Sequence, residues 1–266
     1  MRNALLISIS ALSLSFTSCT ASGKELVADS AAAQAADSAA ITAAVAAPDR
    51  PEQARSLDEG RKPVETLTWL GLKPGMDVAD IFPGEGYWSE IIGHAVQPGG
   101  SVTALRPVNY SNGERNYQSW KVLEGRAPGV SQAFFQFEHF SYEPNSFDFA
   151  ITNLNFHDLY FVSEKFNISL TDPDEFARGL FAAMRPGGIV GVIDHVGPEG
   201  DTRAVVEAMH RIAPSVVIAD MERAGFELVG QSDLLANPDD DHTLNVFDPA
   251  IRGKTDRFLL KFRKPS

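Results

Sequence analysis

Apolar side chains recur along this chain with two spacings. Val64, Leu67 and Leu70 return every three residues, the period of a helix face, and Leu72-Lys73-Pro74-Gly75 ends that helix in a turn before Met76 opens a strand. The stretch Val78 to Trp88, V-A-D-I-F-P-G-E-G-Y-W, is an apolar run that breaks into an acid and two glycines one residue apart. Trp88 to Val96 predicts a second amphipathic helix, closed by Gln97-Pro98-Gly99-Gly100, and Ser101 to Leu105 a second short strand. Phe147 to Leu154 is almost continuously apolar, as in a strand buried on both faces of a parallel sheet. Asp172-Pro173-Asp174-Glu175 starts a helix with acids in its first turn and Phe176, Leu180 and Met184 on one side; Arg185-Pro186-Gly187-Gly188 ends it. Ile189 to Ile193 reads as a strand, Pro214 to Ala224 as a helix stopped by Gly225, and Phe226 to Gly230 and Arg257 to Phe262 as two final strands. Helices alternating with strands predict an α/β domain.

The glycine turn is the first chemical signal. Gly84 and Gly86 lack a Cβ, so the backbone there can bend through positive φ and approach a ligand, and Asp80 sits at the strand end beside it. A Gly86→Val change is therefore expected to block the ligand and leave the apolar core untouched. An ordinary strand-to-helix turn is the alternative.

Helix, strand, G-x-G, helix, strand resembles the opening of the class I S-adenosylmethionine-dependent methyltransferases. Asp80-Ile81-Phe82-Pro83-Gly84-Glu85-Gly86 falls on that family's first motif, D-x-G-x-G-x-G, with Phe82 in place of the first glycine. The Phe82-Pro83 pair, Asn155-Phe156-His157-Asp158, Asp194-His195 and the tail from Asn237 to Arg257 resemble a branch of predicted exported bacterial methyltransferases. The resemblance implies a Rossmann-like fold whose seven-stranded, mostly parallel sheet has order 3-2-1-4-5-7-6, with helices on both faces and a closing antiparallel pair. It implies S-adenosyl-L-methionine as cofactor, held by Asp80, Gly84, Glu85 and Gly86 with Tyr87 beside the turn. It also implies a small or envelope-associated methyl acceptor. One departure is chemical: sites of this fold usually end the second strand with an acid that accepts both ribose hydroxyls, and here Arg106 stands there with no acceptor to offer.

Ligands of open α/β sheets lie beyond the carboxyl ends of the strands. His157-Asp158 follows the fourth strand and Asp194-His195 ends the fifth, so both pairs should share a rim with the glycine turn. A neutral histidine there can take a proton from an attacking hydroxyl or amine, which makes His157, His195 and Asp158 the candidate catalytic residues. Asp240-Asp241-His242 is placed to fold over the same rim, and His210-Arg211 sits on the preceding helical segment. The plainer alternative has His157 and His195 bonding loop backbones and His242 in a solvated loop. No H-x-x-H type spacing supports a metal, and none is expected.

Composition adds the compartment. Arg2 precedes an apolar and serine stretch from Ala4 to Phe16, shorter than the ~20 residues of a spanning helix, so residues 1–18 read as a secretory signal. Phe16-Thr17-Ser18-Cys19 resembles a lipoprotein processing site, which makes Cys19, the sole cysteine, the expected lipid attachment point. Export to the periplasmic side, with anchoring to the membrane by an N-terminal lipid, follows from that reading. Residues 19–50 are dominated by alanine and serine and are expected to form a tether; residues 51–266 suit one domain. The net charge is −12 without a basic stripe, which argues against a nucleic-acid partner.

Three functions suit this chain: methyl transfer, a binding or scaffold protein that keeps the fold without catalysis, and a dinucleotide oxidoreductase. The incomplete glycine pattern and the missing ribose acid argue against the third.

Overall fold

The computed structural model describes residues 21–108, 114–164 and 168–266. In chain order the elements are α1 (Ala21–Val45), α2 (Glu52–Arg55), α3 (Asp58–Arg61), α4 (Pro63–Leu70), β1 (Asp77–Ile81), α5 (Tyr87–Ala95), β2 (Ser101–Pro107), α6 (Glu114–Arg126), β3 (Val130–Phe135), β4 (Phe147–Asn153), a 3-10 turn (Phe156–Tyr160), α7 (Pro173–Ala183), β5 (Met184–His195), α8 (Thr202–Met209), α9 (Pro214–Ala224), β6 (Glu227–Ser232) and β7 (Arg257–Arg263). The strands form one seven-stranded sheet of order 3-2-1-4-5-7-6. β1 to β5 pair in parallel, and β7 inserts antiparallel between β5 and β6. This is the Rossmann-like methyltransferase fold that the resemblance implies.

Period-two alternation sorts each strand between two cores. Phe258, Leu260 and Phe262 of β7 point to one face, with Val190 and Val192 of β5, and pack under α7 and α9. Leu259, Ile193 and Val78 point to the other, under α4 and α5. The helices end where their local chemistry stops them. Asp172 caps α7 through the Asp174 N–H at 3.0 Å, and Gly225, at φ 107, closes α9. β5 starts at Met184 and includes the Pro186-Gly187-Gly188 turn signal, five residues before the expected Ile189; a register irregularity in its pairing with β4 falls between Phe147 and Phe149.

The expected tether needs correction at its C-terminal end. The chain divides into two compact units, Met1–Ala36 and Asp37–Ser266. The second therefore begins well before residue 51. Ile41 and Ala44 of α1 are buried in the core under α4 and α5. Arg50 is buried too, and its guanidinium donates to both Asp58 carboxylate oxygens at 2.9 and 2.7 Å. An alanine-rich segment with one isoleucine per few turns looks unable to form a core, yet it can complete one that already exists. The signal-like stretch and Cys19 lie outside the described residues. Among the described residues no helix is long and apolar enough to cross a membrane.

Candidate functional site

Where β1 breaks off, the chain passes through Phe82 at φ 55, Gly84 at φ 56 and Gly86 at φ 83. Phe82 thus holds the left-handed backbone that a glycine provides without strain. For a residue with a Cβ this costs roughly 1–2 kcal/mol. Its ring is packed by Phe135, Phe137 and Phe176, with centroids at 5.6, 5.7 and 5.7 Å, and such pairs contribute about 0.5–1.5 kcal/mol each. The motif's first glycine is replaced in chemistry and retained in backbone shape.

The two glycines do different jobs. Gly84 lines a cavity of about 650 Å³, and a Cβ built on it would meet nothing within 4 Å. Gly86 faces protein instead. A Cβ there would lie 2.2 Å from Leu123 Cδ1 and 3.2 Å from Trp120 Cη2, so the expectation that a valine would spare the core is overturned. Gly86 gives room to α6, whose Trp120 Nε1 donates to the Gly84 carbonyl at 3.3 Å.

Asp80 is buried and does not line the cavity; its Oδ2 accepts the Ser89 hydroxyl at 2.6 Å, tying β1 to the start of α5. Burial pushes its carboxyl up to about 7, against the pull of the Ser89 hydroxyl and amide. Tyr87 is likewise committed elsewhere: its hydroxyl donates to Asp58 at 2.7 Å and its ring lies 4.3 Å under Arg61. Of the five expected cofactor residues, Gly84 and Glu85 line the cavity, while Asp80, Gly86 and Tyr87 build the frame behind it.

The three expected catalytic residues line that same cavity. Asp194 ends β5 fully buried, and its carboxylate accepts three N–H groups: His157 Nδ1 at 2.8 Å, the His157 amide at 2.9 Å and the His195 amide at 2.8 Å. Burial disfavours a charged imidazole, but the Asp194 charge and hydrogen bond more than offset it, and His157 is pushed up to about 9. Asp194 is held correspondingly low. His157 therefore carries its proton at neutral pH. It aims Nε2 at Asp158 Oδ1, 3.5 Å away. Burial raises Asp158 above the usual carboxylate range, with His157 opposing, and Asn155 Nδ2 donates to its other oxygen at 2.9 Å.

His195 is the opposite case. Its ring centroid is 6.0 Å from that of His157, and Nδ1 is engaged by the Thr255 hydroxyl at 2.7 Å. Burial, with the His157, Arg211 and Arg257 charges nearby, outweighs Asp194 and pushes it down to about 3, so it is neutral.

Further cavity residues are weakly marked or unmarked in the sequence. His210, which ends α8 at φ 53, packs its ring against His157, Phe161 and Phe247 at 5.7, 4.7 and 5.0 Å. Its Nδ1 is buried without a partner among the described residues. Asn155, which opens the Asn155-Phe156-His157-Asp158 motif, also lines the wall, as do Phe161, Val246, Phe247 and Asn116, which nothing local in the sequence marks. The acidic tail does fold back, but it brings Val246 and Phe247 to the cavity and leaves His242 outside, paired with Asp256 at 2.8 Å. Arg211 pins that loop: fully buried, it donates to Leu244 O, Val196 O and Asp240. Backbone strain collects here as well. Among the described residues six non-glycines have positive φ, and Phe82, Leu154 and His210 all line this cavity.

No protein-family model matches the chain, and no curated protein matches it. Solved structures do. An S-adenosylmethionine-dependent methyltransferase from Aquifex aeolicus superposes with a TM-score of 0.53 at 18% identity, over 81% of this chain and 98% of that one. A phosphoethanolamine N-methyltransferase from Haemonchus contortus, solved in complex with S-adenosyl-L-methionine, matches with a TM-score of 0.51 at 15% identity, over 77% of this chain and 53% of that one. A [4+2]-cyclase matches with a TM-score of 0.50 at 17% identity, over 80% of each. At these identities the likeness shows the fold alone, and a cyclase among the neighbours shows that one fold serves more than one reaction.

Proposed function

We propose that this protein is an S-adenosyl-L-methionine-dependent methyltransferase acting on a small acceptor at the histidine end of the cavity. One observation carries the reading: the open Gly84 and the His157, Asp158 and His195 cluster line a single cavity of about 650 Å³ at the carboxyl rim of a methyltransferase-type sheet. That volume suits a small-molecule site. The fit to the cofactor is partial. Gly84 leaves its backbone open to close approach and Glu85 supplies a carboxylate, but Arg106 offers no acceptor for ribose hydroxyls.

The bound cofactor would supply an electrophilic methyl group; the chain's own residues would align the acceptor and take its proton. Asp158 is the fitting base, because burial has raised its proton affinity toward the working range. His157, already protonated, suits the task of holding Asp158 and the acceptor oxygen or nitrogen in line. His195, neutral and fixed through Nδ1 by Thr255, offers its other ring nitrogen to the acceptor. Pairs of groups whose environments push their proton affinities apart are how acid and base roles are divided.

Calorimetry with S-adenosylhomocysteine tests the reading. The folded protein is expected to bind it, and Asp158→Asn is expected to retain that affinity while methyl transfer from labelled cofactor into an envelope extract falls by ~10² to 10⁴. No heat at millimolar ligand, in a sample shown to be folded, would favour the non-catalytic binding protein. The further proposal of export and lipid anchoring rests on the N-terminal sequence. Its test is fractionation of cells carrying Cys19→Ser, with wild-type protein in the soluble fraction counting against it.

A further inference from the structure

Three arginines are buried among the described residues: Arg50, Arg106 and Arg211. Arg50 has Asp58 at 2.7 Å and Arg211 has Asp240 at 2.9 Å. Among the residues whose side chains are described, Arg106 has no carboxylate within ion-pair distance. At the end of β2 it is 4% exposed, stacks on Trp120 and Phe134 with its guanidinium carbon 4.7 and 5.4 Å from the ring centroids, and donates to the side-chain oxygens of Gln132 and Asn116. Both partners are neutral amides. Glu124, the acid whose field reaches it, accepts from Gln132 Nε2 at 2.8 Å instead.

A charge withdrawn from water needs a counter-charge, and a guanidinium held rigid by two aromatic faces and two amides is prepared for one. Arg106 and Asn116 line the cavity beside the open Gly84. An anion entering the cavity would meet the guanidinium there. On doubly wound folds an acid at the end of the second strand reads the free hydroxyls of a ribose, whereas an arginine nearby accommodates a phosphate carried on that ribose.

We infer that the glycine end of this cavity is a phosphate subsite, and that the ligand it takes is a nucleotide bearing a phosphate on the 2′ or 3′ oxygen of its ribose. Arg106 carries this inference independently of the methyl-transfer reading, whose cofactor has free ribose hydroxyls and would compete for the same end of the cavity.

Calorimetry with adenosine, adenosine 2′-monophosphate, adenosine 3′-monophosphate, inorganic phosphate and S-adenosylhomocysteine tests it directly on the wild-type chain. One of the two monophosphates is expected to bind at least ~10-fold more tightly than adenosine, the scale of a charge-assisted guanidinium contact. Arg106→Gln should erase that preference. Arg106→Glu, which installs an acceptor for hydroxyls, should reverse it in favour of adenosine. Equal binding of adenosine and both monophosphates, no binding of either monophosphate, inorganic phosphate binding as tightly as the nucleotide, or a preference that survives in Arg106→Gln would each overturn the inference. The two readings fail separately. Binding of S-adenosylhomocysteine with no phosphate preference removes the phosphate subsite and leaves methyl transfer standing. Phosphate preference without S-adenosylhomocysteine binding does the reverse.

Discussion

His157 and His242 each meet an aspartate at 2.8 Å, and burial sets the two pairs apart. The His157 and Asp194 side chains are 5% and 0% exposed; those of His242 and Asp256 are 33% and 18%. The first pair sits beneath the cavity where water cannot replace either partner, and Asp194 also accepts two backbone amides. The second holds the acidic loop near the surface, where solvent screens the charges. The sequence presents both as a histidine near an acid on the same rim. What separates them is the cost of leaving one partner alone, which distance does not report.

The largest expected effect follows from that cost. His157→Ala leaves the Asp194 carboxylate buried without its cation and should destabilise the protein by about 3–5 kcal/mol in urea unfolding. A loss below about 1 kcal/mol, the scale of an exposed pair, would make the two pairs equivalent and end the comparison.

A somewhat smaller effect is expected from alkali. His157 has a folded pKa of about 9 against an ordinary value near 6.5, so it binds its proton more tightly when folded. Its contribution is complete below the unfolded value and is lost as pH rises through about 9. Asp80, raised to about 7, also lowers stability as pH climbs, but its share lies at lower pH, which leaves pH 7 to 9 mainly to His157. Acid acts through other groups: His195, neutral in the fold down to about 3, takes a proton below about 6.5 only when unfolded, so acidification costs stability there. Unfolding free energy should fall by on the order of 2–3 kcal/mol between pH 7 and 9. That slope should vanish in His157→Gln. A slope unchanged in His157→Gln would assign it to another group.

The glycine turn repeats the contrast on a smaller scale. Gly86→Ala drives a Cβ into Leu123 at a backbone φ of 83 and should cost about 1–3 kcal/mol, whereas Gly84→Ala meets open space at φ 56 and should cost about 1 kcal/mol, from strain alone. Equal losses in thermal unfolding would contradict the division of labour between them. Smallest of all, His242→Ala should change stability by about 0–1 kcal/mol and leave ligand binding intact. A larger loss would mean that the acidic loop depends on this pair more than on the buried Arg211 and Asp240.

Strand order followed from the family resemblance, whereas the two-faced core and the rim that gathers the candidate site could be read from the chain itself. Periodicity is a local property: a run such as Phe147 to Asn153 can be buried on both faces only inside a parallel sheet, and Gly84 marks where that sheet opens. His157, Asp158 and His195 were legible for the same reason, because strand ends in such a sheet share one rim. Asp80, Gly86 and Tyr87 were legible as a turn and misread as a ligand shell, since a motif does not say whether a helix or a ligand fills the space beside it; here Leu123 and Ser89 do. His210, Phe161 and Phe247 come from three segments far apart in the chain, and only the packing of α8 and the return of the acidic loop bring the two phenylalanine rings within about 5 Å of the His210 ring. Proton affinity was likewise beyond the sequence. Asp158 and Asp194 are the same residue type beside the same histidine and both are buried, but the His157 ring and the backbone amides that tertiary structure brings to Asp194 hold it low, while burial prevails at Asp158.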